Sequence, residues 1–172
     1  MNHSLRQQTI SSIVSNYLAS DYDRRPYTCE TGTDNTSVTY RTERSLCHMR
    51  ASSFYQADDR QERLSILAYC SIRIPEQQRM EVARFLVRVN SRLFWVKLEL
   101  DMDDGIVRTS VSIHLRDYPL SRTMLASMED SALSTLDDLY PLIMNIAYGT
   151  MKAEDAYARY CELLEEALRE SV

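Results

Sequence analysis

Apolar residues near the start of the chain recur at the spacing of an α-helix. Between residues 4 and 19 they lie three or four positions apart, which predicts an amphipathic helix. The residues of this stripe are Ile10, Ile13, Val14, Tyr17 and Leu18. A second helix is expected to begin at Pro75 and Glu76, since proline suits the first helical position and an acid suits a helix N-terminus. Its apolar side consists of Val82, Leu86, Val89 and Leu93, with Ala83 and Phe85 beside them.

Between these two helices the pattern changes to short segments with strand character. Threonine and tyrosine are frequent at residues 27–31 and 38–42, on either side of a turn-prone segment at 32–35. Residues 46–55 form a third candidate strand with weaker alternation. From 64 to 72 apolar and polar residues alternate, which is the period of a half-buried strand. The residues expected on its buried face are Leu64, Ile66, Ala68, Cys70 and Ile72.

The dipeptide Asp104–Gly105 separates two further alternating runs and is a strong signal for a two-residue hairpin turn. A turn at this point fixes which residues face each other across the hairpin. On the buried face the predicted pairs are Phe94 with Leu115, Val96 with Ile113, Leu98 with Val111, Leu100 with Thr109, and Met102 with Val107. On the opposite face they are Trp95 with His114, Lys97 with Ser112, Glu99 with Ser110, and Asp101 with Arg108.

The chain is expected to be helical from Ser121 to its end. Ser121 suits the N-cap position of a long helix, and Pro141 must either kink this helix or start a new one because proline has no backbone N–H. Its apolar residues are Met124, Leu125, Met128, Leu133, Leu136, Tyr140, Ile143 and Ala147. Gly149 suits a C-terminal stop, and a last helix is predicted from about residue 153 to 170. The inner stripe of that helix is Tyr157, Tyr160, Cys161, Leu164 and Leu168.

These elements predict an α+β fold in which an antiparallel β-sheet packs against helices. Helices and strands are segregated along the chain instead of alternating regularly, which disfavours a parallel α/β sheet. The predicted order is α-β-β-β-α-β-β-α-α, and the number and order of strands between residues 27 and 56 stay open. The length of 172 residues suits a single domain spanning 1–172.

Composition and charge narrow the class of protein. The net charge is −5, which does not favour nucleic-acid binding, although eighteen arginines accompany two lysines. No run approaches the roughly 20 apolar residues of a membrane span, and the N-terminus lacks the apolar core of a signal peptide. We therefore expect a cytoplasmic protein that does not bind membranes. The four cysteines lie far apart and are expected to be free thiols: Cys29, Cys47, Cys70 and Cys161.

Candidate chemistry is sparse. The sequence has no glycine-rich phosphate loop, zinc-binding helix or nucleophile elbow. Cys47 and His48 suggest a thiol–imidazole pair, but adjacent strand residues point to opposite faces. Asp137 and Asp138 could form a carboxylate pair for acid–base chemistry or metal binding, yet no third ligand follows at helical spacing, so a solvated or capping role is favoured. The sequence thus predicts no catalytic residue, no cofactor, no metal site and no enzymatic activity.

Two surfaces are candidates for binding. Arg84, Arg88 and Arg92 recur every four residues on the polar side of the second helix and could bind phosphate or a partner, although a solvated face is the favoured interpretation. The face of the sheet away from the helices carries an unexplained group of apolar and aromatic residues, which either forms an exposed interaction surface or is covered by a second layer or a twisted edge. Its members, with the histidine predicted to lie opposite the tryptophan, are Leu67, Tyr69, Trp95 and His114.

The order of several short motifs from residue 75 to 156 is similar to that of the YbjN family of bacterial proteins. These motifs are the helix start Pro75–Glu76, the run Glu99–Leu100–Asp101 leading to Asp104–Gly105–Ile106–Val107–Arg108, Leu120–Ser121, Asp138–Leu139–Tyr140–Pro141, Gly149, and Glu154–Asp155–Ala156. The resemblance implies a fold like that of type III secretion chaperones and no catalytic residues. It also implies a small acidic protein that binds other proteins, often as a homodimer, in regulation or chaperoning.

The leading hypothesis is therefore a non-enzymatic, chaperone-like or regulatory module of the bacterial cytoplasm that binds a protein partner. Binding would use the open sheet face or the addition of a strand to a sheet edge. An alternative is a small-ligand sensor or an enzyme with a pocket between sheet and helices. A third hypothesis, RNA binding through the three arginines of the second helix, requires an affinity that falls steeply with salt.

Overall fold

Four α-helices and six β-strands make up the part of the chain that the computed structural model describes, namely residues 9–20, 27–31, 37–116 and 118–170. The elements in order are α1 (Ile10–Ala19), β1 (Thr28–Thr31), β2 (Ser37–Ser45), β3 (Arg50–Asp58), β4 (Arg63–Arg73), α2 (Glu76–Asn90), β5 (Lys97–Leu100), β6 (Ile106–His114), α3 (Arg122–Ala147) and α4 (Ala153–Glu170). The turn predicted at 32–35 and the start of the first helix at residues 4–8 lie outside the described residues.

The strands form one antiparallel sheet in the order β1-β2-β3-β4-β6-β5, which confirms the α+β prediction. Four strands precede α2, where the predicted order has three. The third predicted strand is displaced toward the C-terminus, since β3 runs from Arg50 to Asp58 and not over residues 46–55. Residues 46–49 form the connection from β2 instead, and Leu46 N–H donates to the Met49 carbonyl at 2.8 Å within it.

Alternation of side chains decides which face of the sheet meets the helices. The predicted inner residues of β4 from Leu64 to Cys70 are buried, and Ile72 is half-buried at the end of the strand. Helix α1 packs on β2 and β3, α3 packs on β4 and β6, and α2 lies beside β5. Helix α4 packs on α2 and α3, so it forms an outer layer. The core therefore lies between one face of the sheet and the first three helices.

The predicted hairpin is present, but the register predicted for its two strands differs from the observed register by two residues. Leu98 lies opposite Thr109 and Leu100 opposite Val107, and Asp101 N–H donates to the Ile106 carbonyl at 2.9 Å. The connection thus contains the four residues 102–105 instead of two. A shift by two keeps every side chain on its predicted face, because the side-chain period of a strand is two.

The longer turn has a local cause in the side chain of Asp101. Its carboxylate accepts the N–H groups of Asp103 and Asp104, at 2.9 and 3.4 Å, and these hydrogen bonds lower its pKa. Gly105 then adopts a φ of +76°, and its N–H donates to the Asp101 carbonyl at 2.9 Å. Side chains in that conformation are strained, which explains the glycine at this position.

Residues 94 and 95 are not part of the hairpin, because β5 begins only at Lys97. The prediction that Phe94 pairs with Leu115 on the buried face is therefore wrong, and the Phe94 side chain is 97% exposed. Trp95 is 43% exposed in the same connection between α2 and β5. The alternation that predicted a longer strand includes these two residues, but the chain enters the sheet only after them, at Lys97.

The caps and bounds of the C-terminal helices follow the prediction, but the predicted inner stripe of α4 is wrong in its second half, because Leu164 and Leu168 lie beyond the cover of α2 and α3 and are exposed. Ser121 is the N-cap of α3 and accepts the N–H of Met124 at 3.1 Å, while Gly149 has a φ of +73° beyond the end of the helix. Pro141 lies inside α3, so it does not start a new helix. Helix α4 begins at Ala153 and ends at Glu170, as predicted.

Candidate functional site

The outer face of the sheet carries a cluster of aromatic and charged side chains on its central strands, which we call the sheet-face cluster: Arg41, Phe54, Leu67, Tyr69, Glu99 and Arg108. The rings of Phe54 and Tyr69 meet edge to face with centroids 5.0 Å apart. The guanidinium of Arg41 lies over the Phe54 ring, 5.4 Å from its centroid. These contacts hold two arginines and two rings in a fixed arrangement on a face that the described helices leave open.

Arg108 links this cluster to the edge of the sheet. Its Nη1 donates to the Tyr69 hydroxyl at 3.1 Å, and its Nε donates to a carboxylate oxygen of Glu99 at 2.6 Å. The other Glu99 oxygen accepts the Ser110 hydroxyl at 2.7 Å. Burial opposes the charge of Arg108, but the hydrogen bonds to Glu99 and Tyr69 outweigh it and raise the pKa of the guanidinium.

The structure brings only two of the four predicted binding residues together. Leu67 and Tyr69 are half-buried neighbours in the sheet-face cluster. His114 lies on the same face opposite Arg63, about 13 Å along β4 from Leu67 at the rise of a strand. Trp95 lies outside the sheet, so its predicted pairing with His114 is wrong.

Sequence reasoning missed four members of the cluster: Arg41, Phe54, Glu99 and Arg108. Phe54 lies opposite Leu67 in the β3–β4 register, which could have been inferred only if the start of β3 had been placed correctly. Arg108 was paired with Asp101 in the predicted hairpin register and faces Glu99 in the structure. The error of two residues hid the ion pair that organises this face.

One edge of the sheet is already occupied by a side chain. The Asn90 amide donates from Nδ2 to the Leu98 carbonyl and accepts the Leu98 N–H at Oδ1, both at 2.8 Å. These are the two backbone groups that an added strand would need at this residue of β5. Of the two edges, β1 is therefore the one at which a strand could be added without displacing Asn90.

Arg84, Arg88 and Arg92 are all exposed, as the favoured interpretation expects, with Arg92 lying just beyond the end of α2. Arg88 lies over the Tyr157 ring of α4, 4.2 Å from its centroid, and the Nε of Arg92 donates to the Tyr157 hydroxyl at 2.9 Å. Arg84 pairs with Glu81 on its own helix at 2.6 Å. Arg88 on α2 and Arg92 just after it thus contact α4 from the solvated face, and the sequence did not predict this packing.

A cavity of about 790 Å³ opens between the C-terminal halves of α3 and α4. We call it the α3–α4 groove. Its apolar lining includes Leu93, Leu139, Leu142, Leu163, Leu164 and Ala167. His48, Asp138 and Arg159 supply charged or titratable groups around it. The groove lies between two helices, and not between the sheet and the helices as the ligand-sensor alternative predicted.

The two residue pairs that the sequence analysis considered separately, Cys47–His48 and Asp137–Asp138, meet beside this groove. Asp137 accepts the backbone N–H groups of Cys47 and His48, at 3.1 and 2.9 Å, and its Oδ2 lies 3.4 Å from the Nδ1 of His48. Burial, and then the neighbouring Asp137, raise the pKa of Asp138. The buried aspartate therefore anchors the β2–β3 connection to α3.

Among the described residues, no group of three or more His, Cys, Asp or Glu side chains is placed to hold a metal ion.

A second buried acid, Glu129, lies at the other end of α3. It accepts hydrogen bonds from the hydroxyls of Tyr17 at 2.7 Å and Tyr55 at 2.5 Å, and the Nε of Arg44 lies 3.5 Å away. The Glu129 side chain is fully buried, because its position lies on the apolar side of α3 beside Met128. A lone acid on an apolar stripe was the available signal for this cluster.

Comparison with known proteins identifies the family of the chain. The model of the YbjN family, described as "Putative bacterial sensory transduction regulator", matches residues 23–144. A search of curated proteins found no significant match. None of the described helices combines the length and apolar character needed to cross a membrane. Since the matched region covers more than half of the sequence, the chain belongs to the YbjN family, whose description is that of a regulator and not of an enzyme.

Proposed function

We propose that this chain is a non-enzymatic regulatory module of the bacterial cytoplasm that binds a protein partner through the open face of its sheet, and that it does so as a homodimer. The observation that carries the proposal is the sheet-face cluster, in which Phe54 and Tyr69 meet at the centre of the face between Arg41 and Arg108. The family description supports the regulatory part of this proposal.

The chemistry of the cluster favours a protein as the ligand. Tyrosine and arginine are enriched among the residues that contribute most to protein–protein affinity, and aromatic side chains and arginine are enriched at interfaces in general. The hydrogen bonds of Arg108 to Glu99 and Tyr69 restrict the side chains before any partner arrives. Such pre-ordering lowers the entropy lost on binding.

The two edges of the sheet differ in whether their backbone groups are available to pair with an added strand. Addition of a strand to β5 would compete with the Asn90 amide for Leu98. All four residues of β1 are exposed, and none of the described helices packs on the sheet-face cluster, so both can contact a partner. A partner that uses both would lie across the sheet from β1 toward Tyr69.

The test compares tagged full-length chains purified under native conditions from their own host. Replacement of Tyr69 by Ala is expected to remove specific copurifying proteins and to weaken self-association measured by sedimentation velocity, because it removes the ring and the hydroxyl that Arg108 holds. Tyr148→Ala is the matched control, since Tyr148 is 75% exposed beyond the end of α3. Trp95→Ala asks whether the exposed connection between α2 and β5 takes part. An unchanged set of partners in Tyr69→Ala would refute the surface assignment.

A further inference from the structure

Helix α4 loses its cover halfway along its length. Ala153, Ala156 and Tyr160 are buried, and Tyr157 contacts Arg88 of α2 and Arg92 just after this helix. Beyond Tyr160 the apolar side chains are exposed: Leu163 by 39%, Leu164 by 37% and Leu168 by 69%. The second half of α4 thus presents an apolar stripe that α3 covers only in part.

The dimensions of the α3–α4 groove suit a short helix. Its lining extends on α3 from Thr135 to Asn145 and on α4 from Arg159 to Ala167. At the rise of an α-helix these stretches are about 15 Å and about 12 Å long. A bound helix would therefore contact the groove with two to three turns, the length over which anchors at i, i+4 and i+7 are spaced.

The charge around the groove selects the kind of helix. Helix α4 contains six acidic and two basic residues, a net charge of −4 against −5 for the whole chain. At the groove itself, Arg159 pairs with Glu162 and Glu166 at 3.0 and 3.2 Å, so these three residues carry a formal net charge of −1. Asp138 adds a further carboxyl group on the α3 side of the groove.

We propose that the α3–α4 groove binds a basic amphipathic α-helix of a partner protein. Apolar side chains of that helix lie against Leu142, Leu163 and Leu164, and its lysines or arginines face Asp138, Glu162 and Glu166. The proposal rests on the protein-binding function proposed above and assigns a second surface to it. A second copy of α4 does not fit the groove well, since it would bring a net charge of −4 to an acidic surface.

The binding test uses the full-length chain and a fluorescently labelled model helix of leucine and lysine, about 18 residues or five turns long. Anisotropy is expected to rise on mixing, whereas a peptide of the same pattern with glutamate in place of lysine is expected not to bind. The double variant Leu163→Ser/Leu164→Ser should weaken binding about tenfold or more, because it removes apolar contacts and leaves every charge in place.

Two control variants separate this surface from others. Val87→Ser changes an equally apolar side chain, 69% exposed on α2 and outside the groove, and should bind the basic helix normally. Tyr69→Ala should also bind it normally, so failure of the sheet-face proposal and failure of the groove proposal give different results. Circular dichroism checks that each variant is folded.

Four outcomes would overturn the proposal. These are no binding of the basic helix, equal binding of the acidic peptide, unchanged affinity in the double leucine variant, and tighter binding of a small apolar amine such as dodecylamine at the same leucines. If the double variant instead abolishes a dimer of the chain while the peptide does not bind, a second copy occupies the groove and the partner helix is excluded.

Discussion

The two halves of α3 differ in the groups that hydrogen-bond their acids and in how completely neighbouring helices cover their apolar surface. In the first half, Glu129 is fully buried, and α1, β2 and β3 all supply side chains to its carboxylate. In the second half, Asp137 is satisfied by backbone N–H groups of one connection, and Asp138 faces a groove that α4 leaves open. An acid can be buried without large cost only where neighbouring elements provide hydrogen-bond donors.

The comparison separates a part of the molecule built for stability from a part left available for binding. Helix α1 closes the core over the first half of α3, and the donors of three elements converge there. Helix α4 packs on α3 through its first two turns and then exposes leucines. Fixed polar contacts specify one packing, whereas partly covered apolar side chains gain free energy only when something else covers them.

The largest expected loss of stability comes from removing Glu129, the buried acid in the first half of α3. Glu129→Ala should lower the free energy of unfolding by about 3–5 kcal/mol, because it takes away the carboxylate that pairs with Arg44 and accepts from two buried hydroxyls. Urea unfolding followed by circular dichroism at neutral pH measures the loss. Tyr17→Phe, which removes one of the hydroxyls, should cost only about 1 kcal/mol. A loss below about 1 kcal/mol for Glu129→Ala would mean that this end of α3 does not depend on the buried charge.

A smaller loss of stability is expected from removing Asp137, the buried acid in the second half of α3. Asp137→Ala removes the acceptor of the Cys47 and His48 N–H groups, and the expected cost is about 1–3 kcal/mol. The same variant should speed amide hydrogen exchange in the β2–β3 connection, and Ser134→Ala on the exposed side of α3 serves as the control. If exchange in that connection stays slow, Asp137 does not anchor it, and the contrast between the two acids weakens.

The smallest expected change in stability comes from replacing Asp138, whose side chain lines the α3–α4 groove. Its pKa is raised in the folded state by burial and by Asp137, so the ionised carboxyl destabilises the fold at neutral pH. Because Asp138 is exposed and solvent screens its charge, Asp138→Asn should raise the free energy of unfolding only slightly, by about 0.5 kcal/mol or less at pH 7. The gain should fall as the pH drops through the raised pKa and vanish below the ordinary value of 3.8, where the carboxyl is protonated in both the folded and the unfolded state. A gain that is the same at low and neutral pH would show that the charge is not its cause.

Much of the fold could be predicted from local signals. The caps at Ser121 and Gly149, the bounds of α4 and the alternation of β4 each depend on residues close together in the sequence, so their physical cause is visible there. The hairpin register could not be predicted from the Asp104–Gly105 pair alone. The carboxylate of Asp101 selects a four-residue connection, and dipeptide signals do not include that contact.

The candidate surfaces depended on contacts across the fold and were harder to predict. Tyr69 and Leu67 were found because β4 alternates clearly, but Phe54 and Arg41 required the register of β2 and β3. The pairing of Arg88 and Arg92 with Tyr157 required the packing of α4 on α2. Helix periodicity shows which side of a helix is apolar, yet it does not show which neighbour will cover it or where that cover ends.

The tip of the β5–β6 hairpin is joined to the start of α2 by more than one bond. Ile74 N–H donates to the Gly105 carbonyl at 2.8 Å, and Arg79 donates to the carbonyls of Ile74, Met102 and Asp103. A β-carbon at residue 105 would lie 2.3 Å from the Ile74 carbonyl oxygen, so no other residue type permits this approach. Hairpin and helix consequently behave as one mechanical piece, and because α2 also holds α4 through Tyr157, a force applied at the turn is transmitted to the outermost helix.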